Sequence, residues 1–188
     1  MAHESTALLV MDLQPGILGR YATTDEYLTR VNRAIAGARK AGVRVIYVTV
    51  SFRAGRPEVS QRNKMFSSGA TNTGFVTGEP STAVHPAVAP AAGDVHVIKR
   101  RVSAFAGSDL DVVLRAGNID TLVLCGVATS GVVLSTLRQA ADLDYRLFVL
   151  SDGCLDQDAE VHRVLTEKVF VRQADVTTID QWVGGLES

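Results

Sequence analysis

The chain lacks most of the features that would place it outside ordinary globular proteins. None of its apolar runs approaches the roughly 20 residues that a bilayer-spanning helix needs. Cysteine is scarce: Cys125 and Cys154 are the only two in 188 residues. Two isolated thiols build no disulfide framework and fit a reducing compartment. Charge of one sign is missing as well, with 19 Lys and Arg against 20 Asp and Glu and a formal net charge of −1. That balance implies no basic face, which argues against nucleic acid and acidic membranes as partners. His3, His85, His96 and His162 are scattered without ligand spacing, so no metal is expected. The opening Met-Ala-His-Glu-Ser-Thr has no basic stretch ahead of an apolar core. No secretory leader is therefore expected, and the expected location is cytoplasmic. There is no internal repeat and no low-complexity tract.

What remains is a chain with 46% apolar and 21% charged residues, long enough for one domain with a sizeable core. Short apolar runs at Ala7–Asp12, Val43–Val50, Asp94–Ile98, Thr121–Cys125 and Arg146–Leu150 read as buried strands, with a weak sixth at Ala174–Thr177. Between them run helical periods. Leu28, Val31, Ile35 and Ala38 follow a Thr23/Glu26 capping box and stop at Gly42. Leu110, Val113 and Leu114 follow Ser108 and stop at Gly117. A helix is expected from about 130 to 142, another through Val161, Val164, Leu165 and Val169, and a last turn at Trp182. The βα alternation predicts a three-layer αβα sandwich with a central parallel sheet of about six strands, spanning 1–188 as a single domain. Residues from about 52 to 93 show no sustained period and are rich in Gly, Pro, Ser and Thr. Inside a compact domain, such a stretch is a lid or binding loop rather than a linker.

Ligands of open α/β sheets bind beyond the carboxyl ends of the strands. Three strand ends carry notable residues: Asp12 on the first, Lys99 on the third, and the turn Gly126-Val-Ala-Thr129 on the fourth. A carboxylate beside an ammonium keeps both charged, and either could pass a proton to substrate. The turn and the helix behind it aim backbone N–H groups at an anion or a developing oxyanion. Each feature alone has a plainer reading, as a cap, a solvated lysine or a packing turn. Their joint placement is the stronger signal.

These blocks resemble the isochorismatase-like (cysteine hydrolase) family, which includes nicotinamidases, N-carbamoyl amidases and isochorismatases. Ala7-Leu-Leu-Val-Met-Asp-Leu-Gln14 is similar to the family's first strand with its catalytic Asp. Val97-Ile-Lys-Arg-Arg-Val-Ser-Ala-Phe-Ala-Gly-Ser-Asp-Leu110 is similar to the block holding its catalytic Lys. Ile119 through Thr129 matches the strand and turn. The resemblance implies Asp12 and Lys99 as the catalytic pair, a cis peptide between Val127 and Ala128, and an oxyanion hole around Val127, Ala128, Thr129, Gly131 and Val132. Gln14 from the first block, Phe105 from the second and Arg53 from the loop are the expected substrate contacts. It also implies a homodimer or higher homo-oligomer and a small-molecule substrate, with no cofactor. The apolar helix Val132–Leu137, exposed to more than one neighbour by its pattern, lends that oligomer some support.

The departure from the family lies at one position. Its thiol members place Cys two residues beyond Gly-Val-Ala-Thr-x, where this chain has Val132. Cys125 precedes the turn and reads as a buried strand thiol. Cys154 follows the next strand, whose end could face the same crevice, and Ser130 offers a hydroxyl at the helix start, either as N-cap or as nucleophile. Nicotinamidase-like members carry Asp-x-His after the second strand; here the segment is Ser51-Phe-Arg53. Isochorismatases also lack the Cys and cleave a vinyl ether by protonating carbon and adding water. Arg53, Arg56, Arg62 and Lys64 in the loop could pair with substrate carboxylates. The expected activity is therefore hydrolysis of a small, anionic molecule by Asp/Lys chemistry without a thiol. The alternatives are a catalytically silent small-molecule binder and an amidase with a relocated thiol.

Overall fold

The computed structural model describes residues 3–21, 24–67 and 74–186. Six strands, β1 (Thr6–Met11), β2 (Arg44–Val50), β3 (Val95–Lys99), β4 (Thr121–Val127), β5 (Arg146–Leu155) and β6 (Asp175–Thr177), form one sheet. Their order is β3-β2-β1-β4-β5-β6, and every neighbouring pair is parallel. The chain builds outward from β1 to one edge and then returns to build the other. The order reverses between β1 and β4, and a crevice opens at that point above the strand ends.

Helices α1 (Pro15–Leu18), α2 (Asp25–Lys40), α3 (Lys64–Ser67), α4 (Leu110–Ala116), α5 (Leu134–Asp142), α6 (Ala159–Val164) and α7 (Ile179–Leu186) complete the fold. Successive strand residues face opposite sides of the sheet. Leu8 and Val10 of β1 pack with Leu28, Val31 and Ile35 of α2 and with Ile179 of α7. Leu9 and Met11 pack with Leu110 and Leu114 of α4 and Leu137 of α5. Both faces are covered, so β1 reads in sequence as an unbroken apolar run rather than an alternation. All of these side chains are at most 1% exposed. Each contributes about 1.5–3 kcal/mol of transfer free energy. Val132, Val133 and Leu137 lie in the core of their own chain, which accounts for the apolar breadth of that helix without a second subunit.

Some boundaries differ from expectation. Thr23 of the expected capping box lies outside the described residues. Thr24 occupies the N-cap of α2 and makes no side-chain cap bond, while Asp25 and Glu26 place acid in the first turn, where the helix dipole favours it. The helix expected from 130 begins as a π-turn, Thr129–Val133, before α5. The helix marked by Val161 to Val169 is α6, then a π-turn at Leu165–Val169 and a 3-10 turn at Phe170–Arg172. The expected terminal turn is a full helix, α7, seated on α2 at Gly37, where a Cβ would come within 2.8 Å of Val183. β5 runs five residues past Leu150, because a register shift lets Gly126 and Val127 pair with Cys154 and Leu155.

Gly126 governs that shift. Its φ is +149°, and a Cβ there would meet the Met11 carbonyl oxygen at 2.3 Å. A side chain would push β4 off β1 beside Asp12, and the backbone on the far side cannot yield. Gly126→Ala is expected to cost about 3 kcal/mol, combining steric overlap with a disfavoured φ. Urea denaturation checks it: a midpoint unchanged from the wild type contradicts the close approach.

The long loop packs on the strand ends. Phe52 forms an isolated bridge with Val76, and Phe52, Phe66 and Phe75 gather with Val50 in a small cluster of their own.

Candidate active site

Asp12 is the residue at which β1 leaves the sheet. Its N–H still donates to the Val48 carbonyl (2.8 Å), while its own carbonyl accepts from the Gln14 N–H (2.8 Å). Between these two constraints its φ is +59°, a conformation that non-glycine residues adopt rarely and that clusters at functional sites. The side chain meets Lys99 from the end of β3, two strands away, with Nζ 2.9 Å from Oδ2. Lys99 is 2% exposed and Asp12 5%.

The ammonium is fully committed. Besides Asp12 Oδ2, Nζ donates to the carbonyls of Arg101 and Val102, each at 3.0 Å, which uses all three of its N–H bonds. The carboxylate is only half committed: Asp12 Oδ1 is buried and has no hydrogen-bond partner. Burial pushes the Asp12 carboxyl up from its ordinary value, against the opposing pull of Lys99. The pair therefore presents one free, buried carboxyl oxygen whose proton is held more tightly than usual.

Asp12 belongs to the lining of a cavity of about 250 Å³. Asp12 and Lys99 form part of its lining, and the β4 turn contributes Val127, Ala128, Gly131 and Val132. The Val127–Ala128 peptide is cis, as the resemblance implies. Val132 is 2% exposed and shares the cavity with Asp12 and Lys99. The loop supplies an apolar wall of Phe52, Met65, Phe66 and Phe75. A space of this size holds roughly eight water-sized units, so it takes only a small ligand.

The N–H groups of the turn are less open than expected. The Ser130 N–H donates to Asp156 Oδ2 (2.7 Å) and the Gly131 N–H to the Ala128 carbonyl (3.1 Å). Of the expected oxyanion positions, Gly131 is thus engaged internally. Thr129 is fully buried and outside the cavity lining, with Oγ1 2.8 Å from His162 Nδ1 on α6. It ties the turn to the neighbouring helix.

That tie carries a pH dependence. Burial lowers the His162 pKa from 6.5, with Asp156 opposing, so the folded state prefers neutral imidazole. Above pH 6.5 neither state is protonated and no penalty arises. Below it the unfolded chain takes the proton first, and stability falls until the folded-state pKa is passed. Urea midpoints measured from pH 7 down to about 5 are expected to decline less in His162→Gln than in the wild type. Equal declines would remove His162 from the acid response.

Other expected residues sit elsewhere. Gln14 is fully buried and serves as a bracket: Nε2 donates to the Val50 and Thr82 carbonyls and Oε1 accepts from the Val50 N–H, fixing the loop to β2. Phe105 packs in the core with its ring 6.1 Å from that of Tyr145. Arg53 pairs with Glu58 at 3.0 Å and lines a separate, larger cleft of about 810 Å³ with Arg100 and Arg101. That cleft touches neither Asp12 nor the turn. Its arginines are already bonded to Glu58 and to backbone carbonyls, whereas the smaller cavity brings Asp12, Lys99 and the turn together. Arg56 donates to the Phe66 carbonyl and lies over the Phe52 ring, supporting the aromatic wall from outside the lining. None of Gln14, Arg53 or Phe105 lines the Asp12 cavity.

The two thiols are both in the core. The Cys125 thiol donates to the Leu9 carbonyl at 3.4 Å, and burial pushes its pKa well up. Cys154 lies inside β5 rather than beyond a strand end, and burial raises it to about 12. Neither lines the cavity; Ser130 does, from within the π-turn rather than from an N-cap. The sequence reading missed Arg20, Tyr21, Asp156 and Gln157, the polar residues that share the lining with apolar Ile17, Val50 and Val102. Arg20 and Tyr21 follow α1 directly behind the Asp12 block. Asp156 directly follows β5, the strand next to β4, and its position follows once β5 is known to run to Leu155.

A family model described as the isochorismatase domain matches residues 6–181. The uncharacterized isochorismatase family protein YecD of Escherichia coli O157:H7 is 35% identical over 187 residues, covering 97% of each chain. The ureidoacrylate amidohydrolase RutB of Stutzerimonas stutzeri is 29% identical over 210 residues, covering all of this chain and 81% of its own. Among solved structures, a cysteine hydrolase from Pseudomonas syringae pv. phaseolicola superposes with a TM-score of 0.89 at 26% identity, over 98% of this chain and 93% of that one. With six parallel strands in this order, Asp12 joined to Lys99 across two strands, and a cis peptide closing β4, the chain belongs to the isochorismatase family of hydrolases.

Proposed function

We propose that the protein hydrolyses a small, anionic molecule by proton transfer through Asp12, without a cysteine nucleophile. The observation that carries this reading is Asp12: it lines a cavity of substrate size, and its carboxyl oxygen Oδ1 is buried without a hydrogen-bond partner. Lys99 acts as a positioning group. With its three N–H bonds spent on Asp12 and two carbonyls, it fixes the carboxyl and balances its charge but has no proton aimed at substrate. The raised affinity of Asp12 for its proton suits a general acid. Acting on a vinyl ether, Asp12 would give its proton to the terminal alkene carbon. Water would add to the resulting oxocarbenium carbon and return a proton to Asp12. The hemiketal then collapses to a ketone and an alcohol. Val132 leaves that water an apolar neighbour where the thiol members of the family, by the resemblance, attack directly.

A second reading, a silent binder, draws on the commitment of the Ser130 and Gly131 N–H groups to Asp156 and Ala128. A panel of small vinyl ethers and amides separates the two. Turnover that survives Cys125→Ala and Cys154→Ala but not Asp12→Asn supports the enzyme. Binding across the panel with no product supports the silent reading. Modification of Cys154 by iodoacetamide with matching loss of turnover would revive the relocated thiol. A dimeric or larger assembly in the cytoplasm is part of the same proposal, and light scattering tests the assembly.

A further inference from the structure

Two cations reach the cavity, and one of them is unspent. Lys99 is fully engaged, whereas Arg20 is exposed at the same cavity with no carboxylate within 4.0 Å of it among the described residues. Two carboxylates also reach the cavity. Asp12 is balanced by Lys99; Asp156 accepts the Ser130 N–H but pairs with no cation among the described residues. Arg20 and Asp156 both act on Tyr21: Asp156 raises its hydroxyl pKa after burial does, and Arg20 lowers it. The site thus offers one free positive charge, one free negative charge, and an aromatic wall of Phe52, Phe66 and Phe75 between loop and sheet.

We infer that Arg20 anchors a single substrate carboxylate and that Asp156 rejects a second, so the cavity selects small monocarboxylates over dicarboxylates and neutral analogues. The guanidinium forms two parallel N–H bonds to one carboxylate, and among the described residues of the lining no other unpaired cation is left for another. A second anionic group would meet Asp156 at short range, where like charges disfavour each other. The apolar body lies on the phenylalanines. This inference rests on the Asp12 cavity being the site proposed above, and it replaces Arg53 as the source of the anion preference.

Benzoate, isophthalate and benzamide are rigid probes of one body with one, two and no carboxylates. Titrated into the full chain by calorimetry or ligand-observed NMR, benzoate is expected to bind at least about tenfold more tightly than either of the others, or about 1.4 kcal/mol. Arg20→Gln brings benzoate to the level of benzamide, and Arg20→Lys keeps part of the preference. Asp156→Asn, which retains an oxygen for the Ser130 N–H, tightens isophthalate and leaves benzoate nearly unchanged. Arg20 is exposed and Asp156 half-buried, so both variants are expected to melt as the wild type does. Equal binding of the three probes, absent benzoate binding at millimolar concentration, or a preference that survives Arg20→Gln overturns the inference. Since binding is read without turnover, a carboxylate preference with no product in the panel sinks the proposed activity alone. Turnover with no charge preference sinks this inference alone.

Discussion

Asp12→Asn is expected to lower turnover by about two to four orders of magnitude, the usual contribution of a positioned general acid or base. Asn keeps the size and one oxygen of the carboxyl but has no proton to give. The same change acts on stability, by a different route. Lys99 is 2% exposed and its ammonium would lose the counter-ion it has in Asp12, although the Arg101 and Val102 carbonyls remain. Removing one partner of a buried ion pair costs about 3–5 kcal/mol. The two surviving hydrogen bonds put the expected loss near the lower end, about 3 kcal/mol by urea denaturation. Asp12→Asn combined with Lys99→Met removes both charges and is expected to recover most of that stability while turnover stays lost. Activity in the double variant would mean that the acid lies elsewhere. In the wild type, a step needing protonated Asp12 slows as pH rises through its folded-state value, which burial sets above the ordinary 3.8. A rate that instead rises over that range would make Asp12 the base.

The legible parts of this chain are those where one physical requirement writes one pattern. Strands buried on both faces need unbroken apolar runs, so β1, β2 and β4 were readable to within a residue or two. Chemistry above a parallel sheet needs polar residues where those runs end, and Asp12 and Lys99 stand there and do meet. What could not be read depends on registers and contacts with no local signature. The β5 run is interrupted by Ser151-Asp-Gly153, which looks like a strand end, and only pairing with the shifted β4 carries it on to Leu155. Its continuation buries Cys154 and delivers Asp156 to the cavity. Gly184 and Gly185 disguise α7 as a turn, although its seat on α2 holds it helical. Within the loop, the arginines are conspicuous in sequence by their charge, yet Phe52, Phe66 and Phe75 form the wall. Arg20 is not legible in the sequence, because a single arginine after a short turn carries no pattern of its own.

Val132→Cys is expected to create the most reactive thiol in the protein, by about three orders of magnitude over Cys125 and Cys154 toward iodoacetamide at neutral pH. The native thiols set a low baseline. With its pKa pushed up to about 12, Cys154 has almost no thiolate near pH 7, burial pushes the Cys125 thiol well up too, and neither residue lines the cavity through which reagent would enter. Position 132 differs in both respects. It lines the cavity, and it lies in the first turn of a helical segment that runs without a break from Thr129 to Asp142. The helix N-terminus and the nearby Lys99 ammonium favour thiolate, while the Asp12 carboxylate opposes it. Val and Cys are close in volume, so the core around Val133 and Leu137 should accept the change. Amidase turnover asks for more, because the Ser130 and Gly131 N–H groups are already bonded to Asp156 and Ala128. Little is therefore expected from Val132→Cys alone. Adding Asp156→Ala would release the Ser130 N–H and is expected to raise whatever amidase rate appears. An introduced thiol that resists alkylation in the folded protein would show that position 132 does not face the Asp12 cavity.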